Sequence, residues 1–419
     1  LDSIFEIPYS VNMARDKIIV GLDIGTHSIK AVVAKRRVGN ERVQILGVGV
    51  APAIGVKRGV IVDIDEAATS IKNAISEAEK VSGVEVESVI VNIDGSNVVS
   101  KMSKGVVAVS RADQEISRDD IERVVRAAEA VSLPPNKEIL HVIPKEFVVD
   151  GEGGIKDPQG MHGVRLELNA LIIECSSPVV MNVKKCVKAS GYDINNVILS
   201  PLAAAHSTLT KRQKELGVLA IDIGSATTGL AVYEDGDVIH TQILPVGSGH
   251  ITNDIAIGLR IDIDMAENIK LEYGYCVPED VSKKDTIDLT KVGHNESLRA
   301  NKKEIAEIIE ARLEEIFDLV NKELKKINKQ SLLPAGVVLL GGGAKLPGIV
   351  DLAKKMLKLP AHVGSPQEVD GLSDYIEDPA YATAVGLVKW DADISGPNRK
   401  AGEAGFWGLV KKMLGALMP

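Results

Sequence analysis

Ile18-Ile19-Val20-Gly21-Leu22-Asp23-Ile24-Gly25-Thr26 is an apolar run that ends in Asp-x-Gly-Thr, and Val218-Leu219-Ala220-Ile221-Asp222-Ile223-Gly224-Ser225 repeats the pattern in the second half of the chain. Each run continues into a second apolar stretch, at 29–34 and 228–233. Each copy therefore reads as a β-hairpin, with an aspartate closing the first strand and a Gly/Ser/Thr turn after it. An internal repeat of this kind implies two similar α/β domains facing each other.

The turns carry a chemistry of their own. Gly25 lets backbone approach an anion, and the turn N–H groups with the Thr26 and Ser28 hydroxyls can donate to phosphate oxygens. His27 lies in the same turn, and Lys30 adds a compact cation. Asp23 would repel phosphate directly, so its expected role is to hold Mg²⁺ through water. Asp222, Gly224, Ser225, Ala226, Thr227 and Thr228 form the second set, with Asp222 as the matching metal carboxylate. Two such loops from two domains would clamp a nucleoside triphosphate and its metal. A third element is Val337-Val338-Leu339-Leu340-Gly341-Gly342-Gly343-Ala344-Lys345-Leu346-Pro347-Gly348, a buried strand entering a glycine-rich turn and then a helix. Its glycines permit close approach of a flat base or a ribose.

The 419 residues predict two or three domains, and 45% apolar with 26% charged residues is a globular balance. The net charge of −9 argues against a nucleic-acid partner, which needs a basic surface. Three cysteines, Cys175, Cys186 and Cys276, make no Cys-x-x-Cys, so neither a disulfide scaffold nor a cysteine zinc site is expected, and a reducing compartment is. No apolar run reaches the ~18 residues of a spanning helix. The N-terminus, with Asp2 and Glu6, lacks a signal-peptide layout, and residues 1–12 read as a poorly ordered lead.

Helical spacing marks 65–81, 118–132 with Ser117 as N-cap, and 301–327. Residues 84–92, 140–149 and 165–175 read as strands, and 150–163 as a loop. A polar linker is expected at 391–404, followed by GFWGLVKKMLGALMP at 405–419. On a helical wheel Phe406, Leu409, Val410, Met413, Leu414 and Leu417 share one arc, Trp407 and Met418 edge it, and Lys411, Lys412, Gly408 and Gly415 lie opposite. That layout suits the interface of an anionic bilayer, where aromatics anchor and lysines meet headgroups.

Together the two phosphate motifs, the 337–347 motif and two connecting helices at 199–205 and 378–387 resemble the sugar kinase/Hsp70/actin superfamily. Within it the chain is similar to the FtsA family of bacterial division actins over nearly all of 17–390. The most specific stretches are His141-Val142-Ile143-Pro144 with Gly154-Ile155-Lys156-Asp157-Pro158, Glu215-Leu216-Gly217-Val218 leading to Asp222, Asp254-Ile255-Ala256 before Ala266-Glu267-Asn268-Ile269-Lys270, and Tyr273-Gly274. The resemblance implies an actin-like two-domain α/β fold with duplicated cores. Its subdomains would be 1A at 13–93, 175–210 and 378–390, an FtsA-type insertion 1C at 94–174, 2A at 211–246 and 332–377, and 2B at 247–331.

It also implies roles for residues. Asp23, Gly25, Thr26 and Lys30, then Asp222 and Gly224, match the phosphate motifs, and Gly341, Gly342 and Gly343 with Lys345 the adenosine motif. Glu267 and Lys270, sharing a helix face at i and i+3, would hold ribose and adenine. Arg312 and Glu315 would face the C-terminal tail of FtsZ. The implied protein binds ATP and Mg²⁺, polymerises on the cytoplasmic face of the inner membrane at the division site, and tethers FtsZ there.

Some residues depart from the family pattern. Ser225 and Ala226 replace two glycines of the second motif, and Gly229 replaces its last aspartate. Ser200 precedes Pro201 where MreB, a hydrolytically active bacterial actin, has a glutamate, so at most slow ATP hydrolysis is expected. His141, His162 and His206 show no metal-ligand spacing and read as structural. Two other readings share the superfamily: a type IV pilus assembly scaffold and a small-molecule kinase. The amphipathic tail favours the division protein over both.

Overall fold

The computed structural model describes residues 17–36, 42–130, 133–288, 299–372, 375 and 377–394. The expected lead at 1–12 and the amphipathic tail at 405–419 lie outside these residues. The first hairpin is β1 (Lys17–Ile24) with β2 (Ser28–Arg36), paired so that Asp23 sits opposite Lys30. β3 (Val43–Pro52) extends this meander, and a short hairpin of β4 (Val56–Lys57) and β5 (Val60–Ile61) follows. α1 (Ile64–Ser82) starts on Asp63, whose carboxylate accepts the Asp65 and Glu66 N–H groups, and stops at Gly83 with φ of 67°. β6 (Ser88–Ile93) lies parallel to β1.

After β6 the chain leaves this sheet. β7 (Val99–Ala108), α2 (Arg118–Glu129), β8 (Lys137–Val149), β9 (Glu152–Ile155) and β10 (Arg165–Ser176) make a four-stranded sheet in the order β7-β10-β8-β9. α2 covers one face and packs Ile121, Val124 and Ala128 against Phe147, Leu168 and Ile172, a core separate from that of the sheet left behind. The chain returns through α3 (Ser177–Ala189) and β11 (Asp193–Leu199), which pairs parallel with β6.

The second half begins with α4 (Ser200–Thr208) and α5 (Lys211–Leu216). β12 (Val218–Ile223), β13 (Thr228–Glu234) and β14 (Asp237–Leu244) repeat the antiparallel meander. α6 (Ser248–Leu259), α7 (Ile263–Tyr273), the pair β15 (Thr286–Asp288) and β16 (Arg299–Asn301), and α8 (Lys302–Lys326) follow. β17 (Val337–Leu340), α9 (Ile349–Leu357) and β18 (Ala361–Val363) complete a sheet in the order β14-β13-β12-β17-β18. That order is the counterpart of β3-β2-β1-β6-β11 in the first half, so the repeat seen in sequence is a repeat of whole sheets. β19 (Val369–Gly371) crosses back to β3, and α10 (Ala382–Ile394) ends the described chain. The fold is actin-like.

α4 and α10 lie between the two sheets. α10 buries Ala384, Leu387 and Val388 against Ile19, Val32 and Ile90. Every α4 residue except His206 is buried. Among the described residues no helix is long and apolar enough to cross a membrane.

Five readings of element bounds differ from the structure by three residues or more, among them β8, which starts at Lys137 rather than at 140. The strand expected from 84 starts at Ser88, because the Val86 N–H is taken by the Glu79 carboxylate at 2.8 Å rather than by a neighbouring strand. α2 stops at Glu129, short of 132, ahead of Pro134 and Pro135. The loop at 150–163 contains β9, because the β8 strand turns back at Asp150 and Gly151, both at positive φ. Residues 391–394 of the expected linker belong to α10, and Asp391 pairs with Lys17, while 395–404 lie outside the described residues.

His141 is structural, as its spacing suggests. It is buried, and its Nε2 accepts the Leu199 N–H at 3.1 Å. Burial pushes its imidazole down from 6.5 to about 4. Stability from such a group is present above pH 6.5 and lost as pH falls through the folded value. His141→Gln keeps an acceptor but does not titrate. Urea unfolding at pH 7.5 and 4.5 is therefore expected to show a smaller acid loss in the variant, by up to ~3 kcal/mol. An unchanged loss would assign the acid sensitivity elsewhere.

Candidate functional site

The two hairpins end on one cavity of about 420 Å³. Its walls include Asp23, Gly25, Thr26, His27 and Lys30 from the first half, and Asp222, Gly224, Ser225, Thr227, Glu267, Lys270, Gly341, Gly342, Gly343 and Lys345 from the second. Ala226 lines a neighbouring cavity instead, together with Lys57, Arg58 and His250. Arg312 and Glu315 lie elsewhere, on α8. Arg312 binds Asp254 of α6 through Nε at 2.7 Å and Nη2 at 2.9 Å, and also pairs with Glu315.

In the first loop, Asp23 Oδ1 accepts Asn92 Nδ2 at 2.9 Å, and Lys30 Nζ lies 3.4 Å from Oδ2. Asn92 also donates to Ser200 Oγ at 3.0 Å and accepts the Ile24 N–H at 2.7 Å, so it ties β1, β6 and α4 together beneath the loop. Thr26 Oγ1 accepts the Gly59 N–H at 2.9 Å, which draws the β4–β5 hairpin against the turn. In the second loop, Asp222 Oδ2 accepts the Thr383 hydroxyl at 3.0 Å. The Gly224 and Ser225 carbonyls receive the Ser248 and Gly249 N–H groups at 2.8 and 2.7 Å, which fixes the turn to the start of α6.

Three carboxylates reach this cleft in poorly solvated positions. Burial pushes Asp222 up to about 7, and the charge of Asp23 adds to the effect. Burial also raises Asp23 against the pull of Lys30, and raises Asp94. Such a site is short of positive charge, and a divalent cation would relieve it. Among the described residues no group of three or more His, Cys, Asp or Glu side chains could hold a metal by itself. A cation here would therefore need phosphate oxygens and water besides Asp23 and Asp222.

At the other end of the cavity Lys270 is buried with its ammonium on Glu267 at 2.7 Å and on Thr252 Oγ1 at 2.8 Å. Burial alone would raise the Glu267 carboxyl, but hydrogen bonds from Lys270 and Thr252 hold it below its ordinary value. Lys345 pairs with Asp378 at 2.7 Å. The glycine-rich turn also has a packing reason for its glycines. Gly341 has φ of 80°, and a Cβ there would fall 2.3 Å from Asp222 Oδ1; one at Gly343 would fall 2.5 Å from Ile223 Cγ2. These two glycines let the turn close onto β12. At Gly342 a Cβ would meet open space.

Sequence reasoning missed Asn92, Asp94 and Thr383. The first two stand at and just beyond the C-terminal end of β6, beside β1 in a parallel pair. Ligands gather at such strand ends, and that rule was the available signal.

The residues at 95–174 match a family model described as "SHS2 domain inserted in FTSA", and 219–386 one described as "Cell division protein FtsA". The chain is 38% identical to the cell division protein FtsA of Pseudomonas aeruginosa, covering 89% of each. It is 40% identical to that of Borreliella burgdorferi, over 88% of this chain and 90% of the relative, and 33% identical to that of Escherichia coli, over 89% and 90%. Among solved structures, the PilM-PilN type IV pilus biogenesis complex superposes with a TM-score of 0.66 at 19% identity, over 89% of this chain and 98% of that one. MreB5 of Spiroplasma citri bound to ADP gives 0.53 at 16%, over 91% and 98%.

Proposed function

Because the chain belongs to the FtsA family of cell division proteins, we propose that it binds Mg-ATP in the cleft between its halves and tethers the division machinery to the membrane. The observation that carries this reading is the convergence of Asp23 and Asp222, from corresponding hairpins of the two halves, on one cavity. Phosphates held from both sides would set the angle between the halves. The chain would then present a surface competent to form protofilaments. Glu267 and Lys270 would hold the nucleoside end. The bound cation would supply charge neutralisation at the phosphates.

Turnover is expected to be slow. Ser200 Oγ donates to the Ile93 carbonyl at 2.8 Å and accepts from Asn92, so it is committed to the fold rather than to an attacking water. Arg312 and Glu315 would receive the FtsZ tail, with the Arg312–Asp254 pair as the contact that an incoming carboxylate competes for. The amphipathic segment at 405–419 would hold the cytoplasmic face of the inner membrane at the division site. One short helix binds weakly, and polymerisation would strengthen it by avidity. Family membership favours this reading over the pilus scaffold and the kinase, since the likeness to PilM at 19% identity speaks only to fold.

Co-sedimentation with anionic liposomes tests the reading. The full chain is expected to pellet, more so with ATP, and a version ending at Ala404 to stay in solution. If both stay in solution with ATP bound, the tether is lost and only nucleotide binding survives.

A further inference from the structure

The carboxylate of Asp94 enters the cavity just beyond β6, and neither hairpin accounts for it. One oxygen accepts the Gly95 N–H at 2.8 Å, and the other accepts the Thr227 hydroxyl at 2.8 Å. Gly59 closes a third side, where a Cβ would fall 3.0 Å from Asp94 Oδ2. The side chain is thus aimed from three directions, and the hydrogen bond to Thr227 joins the first half to the second phosphate loop. Asp23 and Asp222 border the same space. Of the lysines on the cavity wall, Lys270 is engaged by Glu267 and Lys345 by Asp378, which leaves Lys30 beside Asp23 as the ammonium at the phosphate end.

We propose that Asp94 is a specificity-determining residue of the cleft, whose carboxylate, held as an acceptor by the Gly95 N–H and the Thr227 hydroxyl beside the second phosphate loop, rejects bare polyphosphate and admits polyphosphate complexed to a divalent cation. The inference rests on the nucleotide reading above. Asp23 and Asp222 would impose some of this preference in any cleft of two such hairpins. Asp94 lies beyond the last residue of β6 and adds a third carboxylate to the cavity. In a partly dehydrated site a carboxylate a few ångströms from a phosphate changes affinity by about tenfold or more. A divalent ion placed between them turns the same carboxylate into a partner. The Thr227 hydroxyl donates its hydrogen bond to Asp94 and so orients the acid.

Calorimetric titration of the full chain with ATP, in Mg²⁺ and in excess chelator, reads this directly. Asp94→Asn keeps an acceptor and removes the charge. It is expected to raise affinity for metal-free ATP about tenfold and to lower that for Mg-ATP, so that the preference for the metal complex falls by more than about tenfold. Asp94→Ser is a second neutral variant if the first folds poorly, as melting curves will tell. Thr227→Val removes the hydrogen bond and keeps the charge, and is expected to leave metal-free binding weak. The inference is overturned if neutral variants bind metal-free ATP no better than the unsubstituted chain, or if Thr227→Val relaxes the metal requirement as much as they do. If the unsubstituted chain binds no Mg-ATP at all, the nucleotide reading fails and takes the inference with it.

Discussion

Gly386→Val is expected to leave no folded protein. Gly386 lies on α10 where that helix crosses α4, and a Cβ built there falls 1.9 Å from the Ala203 carbonyl oxygen and 2.4 Å from its carbon. Backbone cannot be moved aside like a side-chain tip. α4 cannot retreat either, because it is buried on nearly every face between the two sheets. The other side of α10 is also close: a Cβ at Gly21 of β1 would fall 2.5 Å from the Ala384 carbonyl oxygen. Two effects compete in the milder Gly386→Ala. Helix propensity favours alanine by up to ~1 kcal/mol. Overpacking costs ~1–3 kcal/mol where side chains can adjust, and more where backbone is struck. The second effect wins, so the alanine variant should unfold at clearly lower urea concentration. Stability equal to or above that of the unsubstituted chain would mean the helices cross further apart.

Asp222→Asn is expected to strengthen the ligand-free protein and to disable the liganded one. The Asp222 carboxyl is raised from 3.8 to about 7, first by burial and then by Asp23. An acid raised in the folded state is protonated there more readily than in the unfolded chain, so it subtracts stability progressively as pH rises from about 4 to above 7. Asparagine keeps an oxygen for the Thr383 hydroxyl and carries no charge. At pH 8 the ligand-free variant should melt a few degrees higher, which corresponds to roughly 1–3 kcal/mol. At pH 5, where the acid is already protonated in the fold, that gain should shrink. With Mg-ATP the order reverses: the unsubstituted chain gains stability by binding, and the variant, short of one cation partner, gains little. Affinity for Mg-ATP should fall by about a hundredfold, on the scale of ~3 kcal/mol for a charge interaction in a partly dehydrated site. Thermal shift assays with and without the ligand at both pH values would check all four outcomes. Unchanged Mg-ATP affinity would remove Asp222 from the site.

Much of this was legible in the chain. The unbroken apolar runs up to Asp23 and up to Asp222 fix two strand ends, and a glycine after each demands a turn. Once two such hairpins exist, sheet pairing places both aspartates at equivalent corners. α1 was readable to within a residue at each end from the helical spacing of its apolar residues, and the structure adds Asp63 as its cap and Gly83 as its stop. β9 was not, because Glu152 to Ile155 has no alternation and pairs only because β8 turns back on itself.

Local pattern and turn chemistry therefore determined the hairpins, the duplication and the character of the cleft, since those depend on neighbours in sequence. Tertiary structure alone decided which residues complete it. Asn92 meets Asp23 and Ser200, Thr383 meets Asp222, and Asp94 meets Thr227 across separations of 69, 108, 161 and 133 residues. Nothing in the local chemistry of asparagine, threonine or aspartate announces such a partner. Each contact exists because two sheets stack on one buried helix pair, and their close approach through Gly21 and Gly386 sets the distance between the two halves.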